Sequence, residues 1–311
     1  MRVVAKLSGD VNCASSRIRF HRLLKYFPNG VNKFHIFNGF DNNDYKEFIK
    51  IKVNLLYVQK TSDNKTIKLV NDYTRQGIPI IYDTDVALLD GDDNKKHIVD
   101  KASLIIINVK DLVQLLPKPK RFVYIPDSID YFYDKPLPIQ IKENIEIVGT
   151  YWNGNNNIKW SKRVFDCIPD DMKKYYVAGC SFNIDDWIYR RWELPTFTSI
   201  LKTFDLCVLV HPDDSYGNLK SPNRLLVAMA LGIPCIISDT FSYREIFKLL
   251  NLENLIIDTE DKKEIKRVIN KLKDKNYREH ISKKLYNYVW KYHNPEMIAK
   301  VMFKTFQDVA R

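Results

Sequence analysis

The chain has 311 residues, 45% of them hydrophobic and 28% charged, which is enough to bury two ordinary cores and excludes a disordered chain. Its formal net charge of +11 points to a polyanionic or membrane-surface partner, although Lys, Ile and Asn are abundant throughout and some of that charge is plain solvated surface. No apolar segment approaches the length of a membrane span, and five cysteines without a CxxC pair or a Cys/His cluster exclude a disulfide framework and a structural zinc site. A cytoplasmic protein is the expectation.

In chain order, residues 3–7 read as a first strand, too short and too quickly polar for a signal peptide. The loop from Ser8 to His21 follows and opens a helix over 16–27. Strands over 33–37, 53–58 and 79–83, a helix over 65–76, and strand signals at 104–109 and 122–125 continue the alternation of a doubly wound α/β domain. The first loop is rich in small residues, which permit close approach of a ligand, and Arg17 and Arg19 are cations beside it. Ser15 and Ser16 belong to the same acceptor or phosphate side, or are ordinary helix caps. At the carboxyl end of the 79–83 strand, Asp83 and Asp85 form a carboxylate pair, in which like charge and partial burial raise one pKa toward that of a general base. Capping of the next helix is the plain alternative.

The proline spacing of 134–139 reads as an extended linker, so a first domain is set at 1–142, a second at 143–290 and a helical C-terminus at 291–311. Strands at 145–150, 175–179, 206–210, 235–238 and 255–257 make the second domain another α/β unit. Gly149, Thr150, Tyr151 and Trp152 leave its opening strand, where an aromatic stacks on a base or packs against a neighbouring domain. Lys159, Lys162 and Arg163 follow, either as cations for a pyrophosphate or as a solvated helix face. From 205 to 245 the reading is strand, loop, helix, strand, helix: His211 closes the first strand, Ser221 supplies an N-cap oxygen, Pro222 takes the first helical position, and Gly232 with Pro234 ends the helix. Lys220, Ser221, Asn223 and Arg224 crowd that helix start, where free N–H groups and the macrodipole favour a phosphate. Ser242 and Glu245 have the spacing of a capping box.

The run Lys220-Ser221-Pro222-Asn223-Arg224-Leu225-Leu226-Val227-Ala228-Met229-Ala230-Leu231-Gly232-Ile233-Pro234, with Ser238-Asp239 and Tyr243-Arg244-Glu245, resembles the nucleotide-binding core of GT-B glycosyltransferases. Pro126-Asp127-Ser128-Ile129-Asp130 is similar to the family's Pro-Asn-Gly-Val-Asp turn. The resemblance implies two Rossmann-like domains facing across a cleft and a last helix that crosses back to the first domain. It also implies a nucleotide-sugar donor, expected to be a UDP-sugar such as UDP-glucose, with no tightly bound cofactor and a divalent metal possible but not required. Donor binding then falls to Gly149, Thr150, Tyr151, Trp152, Lys159, His211, Lys220, Ser221, Asn223 and Arg224. Family 4 members usually carry two glutamates in this core, where the chain has Val227 and Leu219. Thr84-Asp85 also looks like the strand end of phage DNA β-glucosyltransferases, which makes Asp85, with Asp83 beside it, the catalytic base of an inverting displacement. For the acceptor two readings stand: a hydroxymethylated pyrimidine in DNA, toward which the charge leans, and a glycan or lipid-linked saccharide. A nucleotide-sugar epimerase and a non-catalytic nucleic-acid-binding protein are the remaining alternatives, and the oligomeric state is open.

Overall fold

The computed structural model describes residues 1–28, 34–37, 49–84, 92–116, 121–130, 136–151, 158–182, 184 and 186–311. Met1–Ser128 with Asn294–Arg311 forms one compact unit and Ile129–His293 a second.

In the first unit six parallel strands, β1 (Val3–Lys6), β2 (Phe34–Phe37), β3 (Leu55–Gln59), β4 (Ile80–Thr84), β5 (Leu104–Ile107) and β6 (Phe122–Tyr124), lie in the order β2-β1-β3-β4-β5-β6. The order turns back at β1, so the crevice of this sheet lies between the carboxyl ends of β1 and β3. Helices α1 (Asn64–Arg75) and α2 (Asp93–Lys101) are capped by Asp63 and Asp92. The helix predicted over 16–27 is instead three short pieces: an α turn at Ala14–Ser16, a π turn at Arg17–His21 and a 3₁₀ turn at Leu24–Tyr26. The widened turn carries Arg17 and Arg19, both buried and both drawn into bonds away from the helix axis. The C-terminal helix Pro295–Val309 completes this core with Ile298, Ala299, Met302 and Phe306, packed among Val3, Phe20, Leu55 and Tyr57.

The second unit also has six parallel strands: β7 (Ile147–Tyr151), β8 (Lys173–Ala178), β9 (Trp187–Arg191), β10 (Leu206–Leu209), β11 (Cys235–Ser238) and β12 (Ile256–Ile257), in the order β12-β11-β10-β7-β8-β9. Counted within the unit, this is the Rossmann order, with its switch point between β7 and β10. Its helices are α3 (Ile158–Phe165), α4 (Phe197–Leu201), α5 (Ser215–Asn218), α6 (Asn223–Ala230), α7 (Phe241–Leu249), α8 (Lys262–Leu272) and α9 (Lys275–Tyr292). Strand β9 went unread in the sequence because it is an edge strand with a half-exposed, arginine-ended pattern and no apolar run. Gly232 takes φ +69°, and α6 stops two residues before it.

The described part of the segment read as a linker packs with the second unit. Arg278 is buried and donates to the carbonyls of Leu272 and Lys273 and to those of Lys142 and Glu143, and Tyr286 Oη donates to Leu137 O. These bonds place 136–143 on α9, and the compact units divide at Ser128/Ile129 and His293/Asn294 rather than near 142 and 290.

Gly149 sits within β7, and a Cβ there would meet the Phe204 ring at 2.0 Å. Gly149→Ala is therefore expected to cost about 1–3 kcal/mol through overpacking. A thermal melt reads this as a lowered Tm, partly restored when Phe204→Leu is added. A Gly149→Ala protein that melts with its parent would show that the packing account is wrong.

Candidate functional site

The carboxyl ends of the strands in the first unit are closed by a buried polar network. Arg19 Nε donates to both oxygens of Asp83 at 2.9 and 2.8 Å, and its Nη1 reaches Asp127 Oδ1 at 2.6 Å and Ile125 O at 3.2 Å. Tyr57 Oη donates to Asp83, and Asn108 Nδ2 donates to both oxygens of Asp127. Burial pushes the Asp83 carboxyl up against the pull of Arg19 and Tyr57. Burial alone would lower Arg19, yet Asp83 and Asp127 hold it above its ordinary value. With 1% exposure and both oxygens engaged, Asp83 is a partner of Arg19, and its burial keeps it from a substrate hydroxyl. Asp85 lies outside the described residues, so the pair of carboxylates is represented here by one member.

The loop after β1 is held from within. Ser16 Oγ donates to Gln59 Oε1 at 2.9 Å and accepts from Gly9 N at 3.0 Å; Gln59 Nε2 returns to Ser15 O, and Lys60 Nζ reaches Ser15 Oγ at 2.8 Å. Arg17 donates to the carbonyls of Val11 and Asn12. Ser15, Ser16 and Arg17 thus frame the loop, while Arg19 belongs to the neighbouring network with Asp83 and Asp127. Gln59, the organiser of this frame, carried no sequence signal beyond its place at the end of an apolar strand.

In the second unit the switch point is spanned by Arg224, in the first turn of α6. Its Nη1 donates to Tyr151 O at 2.9 Å, at the end of β7, and its Nη2 to Val210 O at 3.0 Å, just past β10. The same Nη2 lies 2.8 Å from His211 Nε2, and Tyr151 Oη donates to Arg224 O. A guanidinium can only donate, so His211 accepts and is neutral. Burial, then the charges of Arg224 and Lys220, hold its imidazole well below the usual histidine range. Tyr243 Oη lies 3.2 Å from His211 Nε2, and His211 N donates to Ser238 Oγ. Arg224 was expected to stand ready for a ligand alone; it also ties the two strand ends together.

The start of α6 is also not as read. Its N-cap is Pro222, with no side-chain cap, and Ser221 does not fill that role. Among the described residues, every other helix of eight or more residues with a described start has a capping side chain: Asp63, Asp92, Thr240, Asp261, Asp274 or Asn294. Among the described residues no side chain caps the first turn of α6, the position where a helix start favours an anion. Lys220 Nζ sits 3.6 Å over the Tyr216 ring, and Asn223 Oδ1 is buried without a partner among the described residues. Gly149 lies within β7 with no room for a Cβ beside Phe204, Thr150 is fully buried, and Lys159 is exposed on α3. Trp152 lies outside the described residues. The capping box at Ser242 and Glu245 is replaced by Thr240, whose Oγ1 accepts from Tyr243 N, while Ser242 Oγ donates to Lys220 O.

Beside His211 a cavity of 480 Å³ opens at the ends of β10, β11 and β12, lined by Asp213, Asp239, Asp258, Thr240, Phe241 and Arg244 among others. Arg244 is paired with Asp239. No group of three or more His, Cys, Asp or Glu placed to hold a metal occurs among the described residues, and no helix among them is long and apolar enough to cross a membrane.

No known protein family and no curated protein matches the sequence. Solved structures do. The chain is similar to HepE of Anabaena in complex with UDP, at 11% identity over 99% of both chains with a TM-score of 0.70. It is similar to trehalose-6-phosphate from E. coli bound with UDP-2-fluoro glucose, at 10% identity over 99% of both chains with a TM-score of 0.64. WaaG, a glycosyltransferase involved in lipopolysaccharide biosynthesis, matches at 13% identity over 97% of this chain and 99% of its own, with a TM-score of 0.61. The two six-stranded parallel sheets with their flanking helices have the GT-B glycosyltransferase fold.

His211 gives this site a pH signature. Its pKa is depressed in the folded state, so its contribution to stability is present above the ordinary histidine pKa of about 6.5 and is lost as pH falls below it toward the depressed value. Between neutral pH and about pH 5 the parent should lose more Tm than His211→Gln. Parallel pH profiles would show that the imidazole is not held neutral by folding.

Proposed function

We propose that this protein is a glycosyltransferase that moves a sugar from a UDP-sugar to a hydroxyl of a saccharide acceptor. The observation that carries the reading is the uncapped amino end of α6, with Arg224 in its first turn, at the switch point of a Rossmann-ordered sheet. A diphosphate leaving group needs backbone N–H groups and a fixed cation, and this is where the second unit supplies both. In the transfer, the acceptor oxygen bonds to the anomeric carbon, the bond from that carbon to the β-phosphate oxygen breaks, UDP departs and the acceptor proton passes to a base. UDP, UDP-glucose and UDP-2-fluoro glucose in the similar structures support the donor, and WaaG's involvement in lipopolysaccharide biosynthesis supports a saccharide acceptor over a base in DNA. The donor contacts on this reading come from Lys220, Ser221, Asn223 and Arg224, with His211 orienting Arg224.

The test is a thermal-shift series with UDP, UDP-glucose, GDP and ADP. A ligand at a hundred times its Kd stabilises by about 2.7 kcal/mol, so the uridine compounds should raise Tm visibly. Arg224→Gln should weaken UDP binding by roughly ten- to a hundredfold, the loss of one charge-assisted contact, and should also lower Tm because Tyr151 O and Val210 O lose a donor. If no uridine nucleotide stabilises the parent, the donor reading fails.

With Asp83 committed to Arg19, Asp85 is the carboxylate of that strand end to test as base. Asp85→Asn should lower kcat by about 10²–10⁴-fold with donor binding nearly unchanged. Asp83→Asn should instead destabilise the fold, by about 3–5 kcal/mol, because it leaves Arg19 short of a buried counter-charge. An Asp83→Asn enzyme that is stable but inactive would reverse the two assignments.

A further inference from the structure

The positive charge of the chain is gathered on two adjacent helices. Residues 262–291 hold eleven Lys and Arg against three Asp and Glu, a net +8, while the other 281 residues carry a net +3. On α8, Ile265, Val268, Ile269 and Leu272 are buried in the core of the second unit. Lys262, Lys263, Lys266, Arg267 and Lys271 are exposed, and Lys273 follows at the helix end. At 100° per residue the five helical cations with Asn270 cover one continuous half of the helix, opposite the buried arc, along about 16 Å.

Little of this charge is cancelled locally. Arg267 is paired with Glu264 at 3.4 Å and Lys271 lies over the Tyr277 ring. Lys262, Lys263, Lys266 and Lys273 have no ion-pair partner among the described residues. Of the acidic residues just before the helix, Glu260 is paired with Arg163, while Asp258 and Asp261 accept backbone N–H bonds at its amino end, away from the exposed lysine half.

We propose that this lysine face of α8 docks the protein on an anionic lipid bilayer. The charge selects a polyanionic partner, and its layout selects among polyanions. The cations of α8 lie along one straight, convex half of the helix, which can meet a flat array of headgroups along its whole length. Single strands need exposed aromatic platforms, and α8 has none. The apolar arc of α8 is consumed by the core, so attachment is electrostatic, without insertion, and reversed by salt. This inference stands apart from the donor reading, since it rests on no residue of that site.

The experiment is co-sedimentation of the whole protein with phosphatidylcholine vesicles and with vesicles containing phosphatidylglycerol, at about 0.1 M salt and at high salt. The parent should bind the anionic vesicles alone and release in high salt. The combined variant Lys262→Gln, Lys263→Gln, Lys266→Gln and Lys273→Gln should lose at least roughly tenfold in partitioning. Lys101→Gln, Lys248→Gln, Lys300→Gln and Lys304→Gln together remove the same charge from other exposed positions and should keep most of the binding. Melting temperatures of both variants confirm that the fold is intact. Equal binding by the α8 variant and the parent overturns the proposal. So does a parent that ignores anionic vesicles yet binds a short DNA duplex through the same lysines, which would assign the face to nucleic acid.

Discussion

Parallel strands covered on both faces leave nowhere along their length for chemistry. Strands β1, β3, β4, β5, β10 and β11 are buried at every position, and their amides and carbonyls are taken by neighbouring strands. Any group that is to meet a ligand must lie past the carboxyl end of a strand or at the start of the helix that follows. That restriction explains why the polar side chains of both units collect in two places, after β1, β3 and β4 in one and after β7 and β10 in the other.

Each place is organised by one arginine, and the two are used differently. Arg19 is 3% exposed and faces two carboxylates, to which Tyr57 and Asn108 also donate. An ion cluster so enclosed fixes geometry, and its worth lies in the cost of breaking it. The contacts Arg224 makes to Tyr151, Val210 and His211 are to neutral groups. They set the direction of the guanidinium, and burial together with its charge keeps His211 unprotonated. A positioned cation beside an uncapped helix start is a different object from a buried ion pair, though both read as an arginine near a strand end.

That distinction marks where sequence reasoning stops. The buried strands were legible because a fully covered parallel strand is a continuous apolar run, and α6 was legible from its apolar body and from Gly232, the residue able to take φ +69°. The first helix was misread because its periodicity says nothing of Arg17 and Arg19 turning inward, which breaks it into α, π and 3₁₀ turns. Gly149 looked like a ligand-facing glycine; the ring that demands it, Phe204, is fifty-five positions away and visible only in three dimensions. Ser221 and Ser242 had the right spacing for caps, yet Pro222 occupies one N-cap and Thr240 the other, since a helix start shifts by a residue or two at little cost. The segment 136–143 has linker composition, yet Arg278, donating to the carbonyls of Lys142 and Glu143, and Tyr286, donating to Leu137 O, tie it to the second unit.

The face of α6 bears most directly on the proposed chemistry. Where family 4 members usually present a glutamate, this chain has Val227, 3% exposed and part of the core, so no carboxylate is available at that position to accept from sugar hydroxyls. Asn223 lies four residues earlier, on the same side of the helix one turn toward its open end. Its Oδ1 is a buried acceptor with no partner among the described residues, next to the N–H groups that Pro222 leaves uncapped. A buried amide oxygen without a donor is costly, and such costs persist where something else satisfies them. On the proposed reading, acceptor capacity has moved one turn along the helix and changed from a carboxylate to a neutral amide. The change also fits the local charge: beside Arg224 and a diphosphate, an amide oxygen accepts hydrogen bonds from hydroxyls without adding a further charge to the site.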